Sequence, residues 1–403
     1  VARWFLTVGA ASGTVAKTIS AYDKTVSDAV YGCGTRYVSR ERLLAMLDHE
    51  YQQDLERLSP KRGPTTKFFA FADTASARNY NGDNEQHAWV GLRFQAEPNG
   101  DPNDVILHVN LMDPTNARQQ QALGILGVNL IHAVHYHREN LDEFLAGLWS
   151  ELSFDRMEID VVELSGPAMA NLDTRRCGLT MLRRGMARAL VFDSAGRIID
   201  PSAVLRKRPL LINRGQFAPY EPVHGEMLGA AERHLRAEGV PLGREPVLGF
   251  EMTIDPVGGG GPSDDEVLAR LVPLVSVGAV IVSTFGEAYL LANYLRRFTA
   301  EPVRFVMGVS LITLLMENRF YKELPGRLLE GMGKLLAVNA KLYAYPMPMS
   351  AVVASLGAAA DKFGIEASPS GRVTADGIHP PPPIDHLYRY LREGGWIVPV
   401  NVD

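Results

Sequence analysis

Residues 247–283 read VLGFEMTIDPVGGGGPSDDEVLARLVPLVSVGAVIVS, and this stretch decides the predicted fold. Residues 247–253 and 279–283 are apolar runs of strand length, each ending in a small hydroxyl side chain. Between them, Ser263-Asp-Asp-Glu266 is typical of a capped helix start, and the glycines at 258–261 indicate a flexible link into that helix. The stretch therefore predicts a strand, a helix and a second strand in succession.

The same rhythm of short apolar runs and helix-length amphipathic segments recurs over most of the chain. The predicted strands are residues 4–8, 67–72, 90–95, 105–110, 158–164, 189–192, 210–212, 247–253, 279–283, 303–308 and 342–345. Segments 40–58 and 117–149 have helical apolar spacing, the second with a break near 138–140. Such alternation predicts an α/β fold with two doubly wound, mostly parallel units whose sheets are covered by helices.

The length of the chain and its glycine- and proline-rich segments predict its domains. A chain of 403 residues exceeds the size of a usual single core. We expect an N-terminal α/β domain over 1–154, a second α/β domain over 155–345, and an irregular proline-rich tail with a short terminal helix over 346–403. Residues 189–200 predict a hairpin instead of a crossover, because Asp193 and Gly196 suit the first and fourth positions of a type I turn.

The apolar segments, the cysteines and the net charge of the chain limit its expected location and partners. No segment approaches the ~18 apolar residues of a membrane span, and the N-terminal run is typical of a strand and not of a signal peptide. The two cysteines, Cys33 and Cys177, lie in no C-x-x-C pair. The net charge of −5 disfavours nucleic acid as a partner. We therefore expect a cytoplasmic protein that does not bind membranes.

A turn rich in small and hydroxyl residues follows the first predicted strand and is expected to open a helix. Backbone N–H groups at a helix start attract anions, and a lysine ammonium would add to this attraction. The predicted anion or cofactor site consists of Ser12, Gly13, Thr14, Lys17 and Thr18. The alternative is an ordinary strand-to-helix turn, since the spacing matches neither G-x-x-x-x-G-K-[ST] nor G-x-G-x-x-G.

Polar residues at the ends of predicted strands are candidates for catalysis, because ligands of α/β sheets gather at the carboxyl ends of strands. Asp73, Glu163 and Glu251 are expected there, and the last two could act as acid and base or hold a divalent metal such as Mg²⁺. His87 precedes Trp89 on a strand and is the histidine best placed for site chemistry. Each of these carboxylates could instead cap a helix or pair with an arginine.

Several segments together resemble a largely uncharacterised family of bacterial proteins. They are WFLTVGAASGTVAKTISAYDKTVSDAVYG (4–32), RYVSRERLLAMLDHEY (36–51), FFAFADTASARNY (68–80), QALGILGVNLI (121–131) and KLYAYP (341–346). Members are sometimes labelled nicotinate- or nicotinamide-nucleotide adenylyltransferase, which implies nucleotidyl transfer. Those enzymes use a histidine pair in an [HT]-x-G-H turn, whereas this chain has His224-Gly-Glu, with one histidine.

These observations lead to two hypotheses about function. The first is an enzyme, a transferase by resemblance, that acts on a small phosphorylated or nucleotide-like metabolite. The second is a non-catalytic assembly subunit or an anion-binding regulatory protein, for which a homo-oligomer would be expected. Substrate, reaction type and metal requirement are open at this point.

Overall fold

A computed structural model of the chain describes residues 1–34, 36–82, 84–255 and 260–402. The described residues form an α/β structure, which confirms the predicted fold class. They divide into two compact units, Val1–Leu190 and a second unit made of Val191–Asp255 and residues 260–402. Within the described residues, no helix combines the length and the apolar character needed to span a bilayer.

The first unit is a four-stranded sheet with helices on its faces. Its elements are α1 (Ala2–Val8), α2 (Lys24–Tyr31), α3 (Arg40–Arg62), β1 (Phe69–Ser76), β2 (His87–Gln95), β3 (Pro102–Leu111), α4 (Asn116–Tyr136), α5 (Leu141–Leu148), β4 (Met157–Ser165) and α6 (Thr174–Arg183). The break between α4 and α5 lies where the sequence predicts it.

The sheet of the first unit runs in the order β1-β2-β3-β4, and every neighbouring pair is antiparallel. The prediction of a mostly parallel sheet was therefore wrong for this unit. The physical reason is that β1, β2 and β3 follow one another through loops without a helix, and such loops join antiparallel neighbours. Strand β4 pairs with β3, so residues 157–165 belong to the first unit although the sequence placed the junction near 154.

The expected first strand, residues 4–8, is instead the helix α1. The prediction was wrong because a strand needs a sheet edge, and this segment pairs with none. Its residues, Ala-Arg-Trp-Phe-Leu-Thr-Val, include good helix formers. The helix lies against α4, where a Cβ on Gly124 would stand 3.3 Å from Nε1 of Trp4.

Helix α3 packs closely on one face of the sheet in the first unit. Its buried side chains include Leu43, Leu47 and Tyr51. The approach is closest over Gly91 of β2, where an added Cβ would lie 2.8 Å from Cδ1 of Leu47 and 2.9 Å from Cδ1 of Ile106. The absence of a side chain at Gly91 therefore sets the distance between the helix and the sheet.

The second unit is built on an eight-stranded sheet. Its elements are β5 (Ala189–Phe192, which begins at the unit boundary), β6 (Ile198–Ile199), α7 (Pro201–Leu205), β7 (Leu210–Arg214), α8 (Pro222–Ala237), β8 (Val247–Thr253), α9 (Asp264–Val275), β9 (Ala279–Ser283), α10 (Ala288–Leu295), β10 (Val303–Gly308), α11 (Val309–Leu315), α12 (Arg327–Leu335), β11 (Ala340–Tyr345), β12 (Met347–Pro348), α13 (Met349–Leu356), β13 (Gly364–Ile365), β14 (Arg372–Val373), β15 (Ile378–His379), α14 (Ile384–Glu393) and β16 (Ile397–Pro399). The glycine-rich link falls partly on residues 256–259, which lie outside the described residues.

The strand order of this sheet is β16-β11-β10-β7-β8-β9-β5-β6. From β9 to β16, each pair of neighbours is parallel. Numbered along the chain from β7, these six strands have the order 3-2-1-4-5-6, the doubly wound order of dinucleotide-binding sheets. The order reverses between β7 and β10, and this reversal marks where a ligand crevice is expected.

Two local predictions for the second unit can be checked directly. Strands β5 and β6 form the predicted hairpin, in which the N–H of Gly196 donates to the carbonyl of Asp193 at 2.9 Å. The proline-rich tail contains the predicted helix, α14, but it is less irregular than predicted. Its last strand, β16, pairs with β11, so the tail contributes a strand to the main sheet.

The close approach at Gly91 generates a stability prediction. Gly91→Ala should lower the free energy of unfolding by about 1–3 kcal/mol, because the new methyl group overpacks the contact between α3 and the sheet. Gly333→Ala is the control: Gly333 is exposed in α12, with no described atom within 4 Å of an added Cβ, and alanine there should stabilise by about 0.5–1 kcal/mol. Urea denaturation would measure both, and equal effects would contradict the packing argument.

Candidate functional site

The structure does not place the predicted anion site at the start of a helix. That site comprises Ser12, Gly13, Thr14, Lys17 and Thr18. The segment Ala11–Gly13 is a short 3-10 turn, and the next helix begins only at Lys24. The ammonium of Lys17 pairs with Glu50 and donates to Oε1 of Gln53 at 3.0 Å, both on α3. The geometric premise, donors fixed at a helix start, is therefore not met by this segment.

The predicted carboxylates do not converge on one site within either unit. Asp73 lies on β1 with an exposed side chain. Glu163, on β4, accepts two hydrogen bonds from Arg40, at 2.7 Å from Nε and 2.6 Å from Nη2. Glu251 lies on β8 in the second unit. Glu163 is thus engaged by an arginine, as the alternative interpretation of these carboxylates allows.

His87 belongs to a hydrogen-bonded row of polar side chains on the sheet of the first unit. Its Nδ1 lies 2.8 Å from Nε2 of His108, and Nδ1 of His108 lies 2.5 Å from Oδ1 of Asp160. Asn110 donates to the other carboxylate oxygen of Asp160 at 2.7 Å. His108 and Asp160 are buried, whereas His87 is half-buried. Burial, followed by the proximity of His108, lowers the pKa of His87 to about 4.

A β-bulge in β4 directs the side chain of Asp160 towards this row. The register between β3 and β4 shifts between His108 and Val109, which pair with Val161 and Ile159. Asp160 is the extra residue of β4 at that point. Because the bulge adds one residue, the Asp160 side chain faces His108.

The carboxyl edge of the second unit holds a buried ion pair. Glu251, at the end of β8, is fully buried, and its Oε2 lies 3.4 Å from Nε of Arg214 at the end of β7. Its Oε1 accepts hydrogen bonds from Ser283 at 2.5 Å and from Thr253 at 3.2 Å. Glu251 is thus held by the ends of three neighbouring strands, β7, β8 and β9.

The guanidinium of Arg214 is only partly satisfied by these contacts. Its Nη2 donates to Oγ1 of Thr253 at 3.0 Å, to the carbonyl of Gly286 at 2.9 Å and to the carbonyl of Phe285 at 2.5 Å. Its Nη1 is buried without a hydrogen-bond partner among the described residues, and so is Oε2 of Glu251. A buried N–H group without a partner is costly, so Nη1 is the strongest indication of a ligand position at this edge.

Arg214 lines a cavity at the point where the strand order reverses. The cavity has a volume of about 70 Å³ and opens to solvent. Its lining is largely apolar, with one carboxylate and one phenol: Arg214, Gly286, Glu287, Ala288, Met307, Leu311, Leu314, Leu315, Phe320 and Tyr321. Burial, together with the nearby Glu287, raises the pKa of Tyr321, whose hydroxyl donates to the carbonyl of Leu315 at 2.8 Å. We call this cavity the switch-point crevice.

His224 lies at the third position of α8, the helix that follows β7. Its Nδ1 accepts the N–H of Glu221 at 3.0 Å, which leaves Nε2 as the protonated nitrogen of the neutral ring. Burial lowers the pKa of His224, and its ring packs edge-on against Phe217. The helix start therefore carries a neutral imidazole with one remaining N–H donor.

Of the residues in these two groups, the sequence singled out Glu251 and His87 as candidates but not Arg214, His108 and Asp160. The available signal was a polar residue inside or at the end of an otherwise apolar run, such as His108 in Val-Ile-Leu-His-Val. Among the described residues, no group of three or more His, Cys, Asp or Glu side chains is arranged to hold a metal ion. A comparison of the chain with protein-family models finds no match, and a comparison with curated proteins finds none either.

The ion pair at the carboxyl edge generates a second stability prediction. Glu251→Gln should lower the free energy of unfolding by about 3–5 kcal/mol, because it leaves the Arg214 guanidinium buried without a counter-charge. Glu245→Gln is the matched control, since Glu245 is exposed and pairs with an exposed arginine, and it should cause no measurable loss. Urea denaturation measures both, and a Glu251→Gln variant as stable as the control would show that the pair is unimportant.

Proposed function

We propose that the chain is an enzyme that acts on a small phosphorylated or nucleotide-like metabolite, and that this ligand binds in the switch-point crevice. The observation that carries the proposal is the buried Nη1 of Arg214, which has no partner among the described residues at the reversal of a 3-2-1-4-5-6 sheet. In open α/β sheets, ligands bind outside the carboxyl ends of the strands at this reversal.

Arg214 has the properties of an anchor for an anion. Three oxygens fix its Nη2, so the orientation of Nη1 is set before any ligand arrives. A guanidinium donates well to phosphate and carboxylate oxygens, and such charge-assisted hydrogen bonds are stronger than neutral ones. Because Glu251 compensates part of the positive charge, the attraction of an anionic group at this position depends on the directed N–H groups of Nη1.

The lining of the crevice suits a ligand that carries an apolar ring beside its anionic group. Met307, Leu311 and Phe320 contribute apolar surface to that lining. Glu287 can accept hydrogen bonds from hydroxyl groups such as those of a ribose. A mostly apolar lining with a few polar groups is typical of sites for small molecules. A nucleotide-like compound combines all three features.

The resemblance to nucleotide adenylyltransferases adds a reaction class to this proposal. Nucleotidyl transfer develops negative charge on phosphate oxygens, which positioned donors stabilise. Arg214 lines the crevice, and we assign to it the role of anchoring such a phosphate. His224, at the start of α8, carries an Nε2–H donor but is not among the residues that line the crevice.

The Arg214 anchor is tested by ligand binding to the full chain. Isothermal titration with AMP, ATP, nicotinamide mononucleotide and inorganic phosphate should detect binding of at least one compound. Arg214→Lys, which keeps the charge but loses the fork of donors, should weaken that binding by roughly ten- to a hundredfold, or about 1.5–3 kcal/mol.

Arg208→Lys is the matched control for the anchor. Arg208 precedes the same strand, β7, at its other end, and its Nε donates to the carbonyl of Glu245 at 3.0 Å. Affinity should be unchanged in this variant. The proposal fails if none of the four compounds binds the parent chain, or if Arg214→Lys binds as tightly as Arg208→Lys.

A further inference from the structure

The polar row of the first unit has no role in the ligand site proposed for the second unit. We propose that His87 is the nucleophile of a second reactive centre, whose Nε2 accepts an acyl group from an activated carboxylic or carbonic ester or anhydride. His108 and Asp160 act on this centre as positioning residues, because they touch His87 and each other but not the incoming group. The proposal rests on their geometry and is independent of the switch-point crevice.

The hydrogen bonds determine which nitrogen of His87 carries a lone pair. The Asp160 carboxylate accepts the Nδ1–H of His108, so Nε2 of His108 is an acceptor when that ring is neutral. That acceptor lies 2.8 Å from Nδ1 of His87, which must therefore be the protonated nitrogen of His87. Nε2 of His87 is left with its lone pair, and His87 is the one member of the three that is not buried.

The row is not an efficient way to stabilise the sheet, because burying its polar groups costs free energy. A buried carboxylate and a buried imidazole must be desolvated, and apolar side chains of similar volume are usually at least as stabilising. The chain nevertheless contains a β-bulge that aims Asp160 at His108. Bulges that redirect a side chain are common beside active sites. A reactive histidine accounts for both features.

The charged groups around His87 keep its ring neutral at physiological pH. Burial and the neighbouring His108 lower its pKa to about 4, and Arg36 acts in the same direction. Glu85 and Asp160 oppose this shift but do not outweigh it. The ring therefore stays largely neutral down to about pH 5, where a histidine with a pKa near 6.5 is largely protonated.

The transfer step is balanced within the row. Nε2 of His87 forms a bond to the carbonyl carbon, and the bond from that carbon to the leaving oxygen breaks. The Nδ1 proton of His87 moves to Nε2 of His108, and the Asp160 carboxylate stabilises the resulting imidazolium. Water then attacks the acyl-imidazole; one of its protons stays with the released acid, and the other goes to the leaving oxygen. As the bond to Nε2 breaks, His108 returns its proton to Nδ1 of His87, which restores the row.

Diethyl pyrocarbonate, an activated carbonic anhydride, tests the nucleophile directly. The full chain is treated at pH about 5.5 and about 7.5 together with a histidine-containing reference peptide, and the modified residues are mapped by mass spectrometry. The rate at His87 should be nearly the same at both pH values, because its ring is neutral at both. The peptide should slow by several-fold at the lower pH, because more of an imidazole with a pKa near 6.5 is then protonated.

Asp160→Asn separates a positioned nucleophile from a histidine that is merely exposed. The amino group of Asn110 lies between Asp160 and Glu158, so the introduced amide must direct its oxygen to Asn110 and its own amino group to His108. His108 then accepts at Nδ1 and donates from Nε2, and the lone pair of His87 moves to Nδ1. Modification at Nε2 should slow by about tenfold or more, because the tautomer with its lone pair on Nε2 becomes the minor one.

Circular dichroism should show that the Asp160→Asn variant is folded, and His87→Gln should abolish the adduct at position 87. The inference is overturned if His87 is not modified, or if its rate falls at low pH as the peptide's does. It is also overturned if the folded Asp160→Asn variant reacts as fast as the parent. If the variant does not fold, the comparison of the two pH values in the parent chain decides alone.

Discussion

The buried ion pair between Arg214 and Glu251 is the constraint on which the carboxyl edge of the second unit depends. Burying either charge without the other would be strongly destabilising. Strands β7 and β8 must therefore place Arg214 and Glu251 next to each other. The hydroxyls of Thr253 and Ser283 both donate to Oε1 of Glu251, which extends the constraint to β9. The loop after β9 is held in turn because the carbonyl of Phe285 accepts from Arg214. A ligand that reached Arg214 would therefore meet a rigid site.

The sequence predicted the second unit much better than the first, for a physical reason. Strands buried on both faces are continuous apolar runs, so Val247–Thr253, Ala279–Ser283 and Val303–Gly308 could be predicted with the bounds that the structure has. The first unit alternates its side chains between two faces and joins its strands by loops. Periodicity finds those strands but does not reveal that they are antiparallel, and it mistook the short helix α1 for a strand.

The candidate sites were predictable only in part, because their partners are distant in sequence. Glu251 could be found from its place at a strand end, but its pairing with Arg214 depends on which strands become neighbours. His87 could be found as a polar residue on a strand, whereas His108 and Asp160, 52 positions apart, meet only through the register of β3 and β4. Lys17 shows the opposite error. The local sequence pattern suggested an anion site, whereas in the structure the Lys17 ammonium pairs with Glu50 of α3.

The bulge in β4 also allows two contacts, Asp160 with His108 and Glu163 with Arg40, that a regular strand would place on opposite faces. Side chains alternate strictly along a strand, so residues with even and odd numbers normally face opposite sides. Asp160 and Glu163 nevertheless share the face on which His108 and Arg40 lie, because the bulge between them inverts the parity of the strand. Deleting one residue there would turn one of these two carboxylates towards the opposite helix layer. The polar row and the contact of α3 with β4 therefore both depend on this one extra residue in β4.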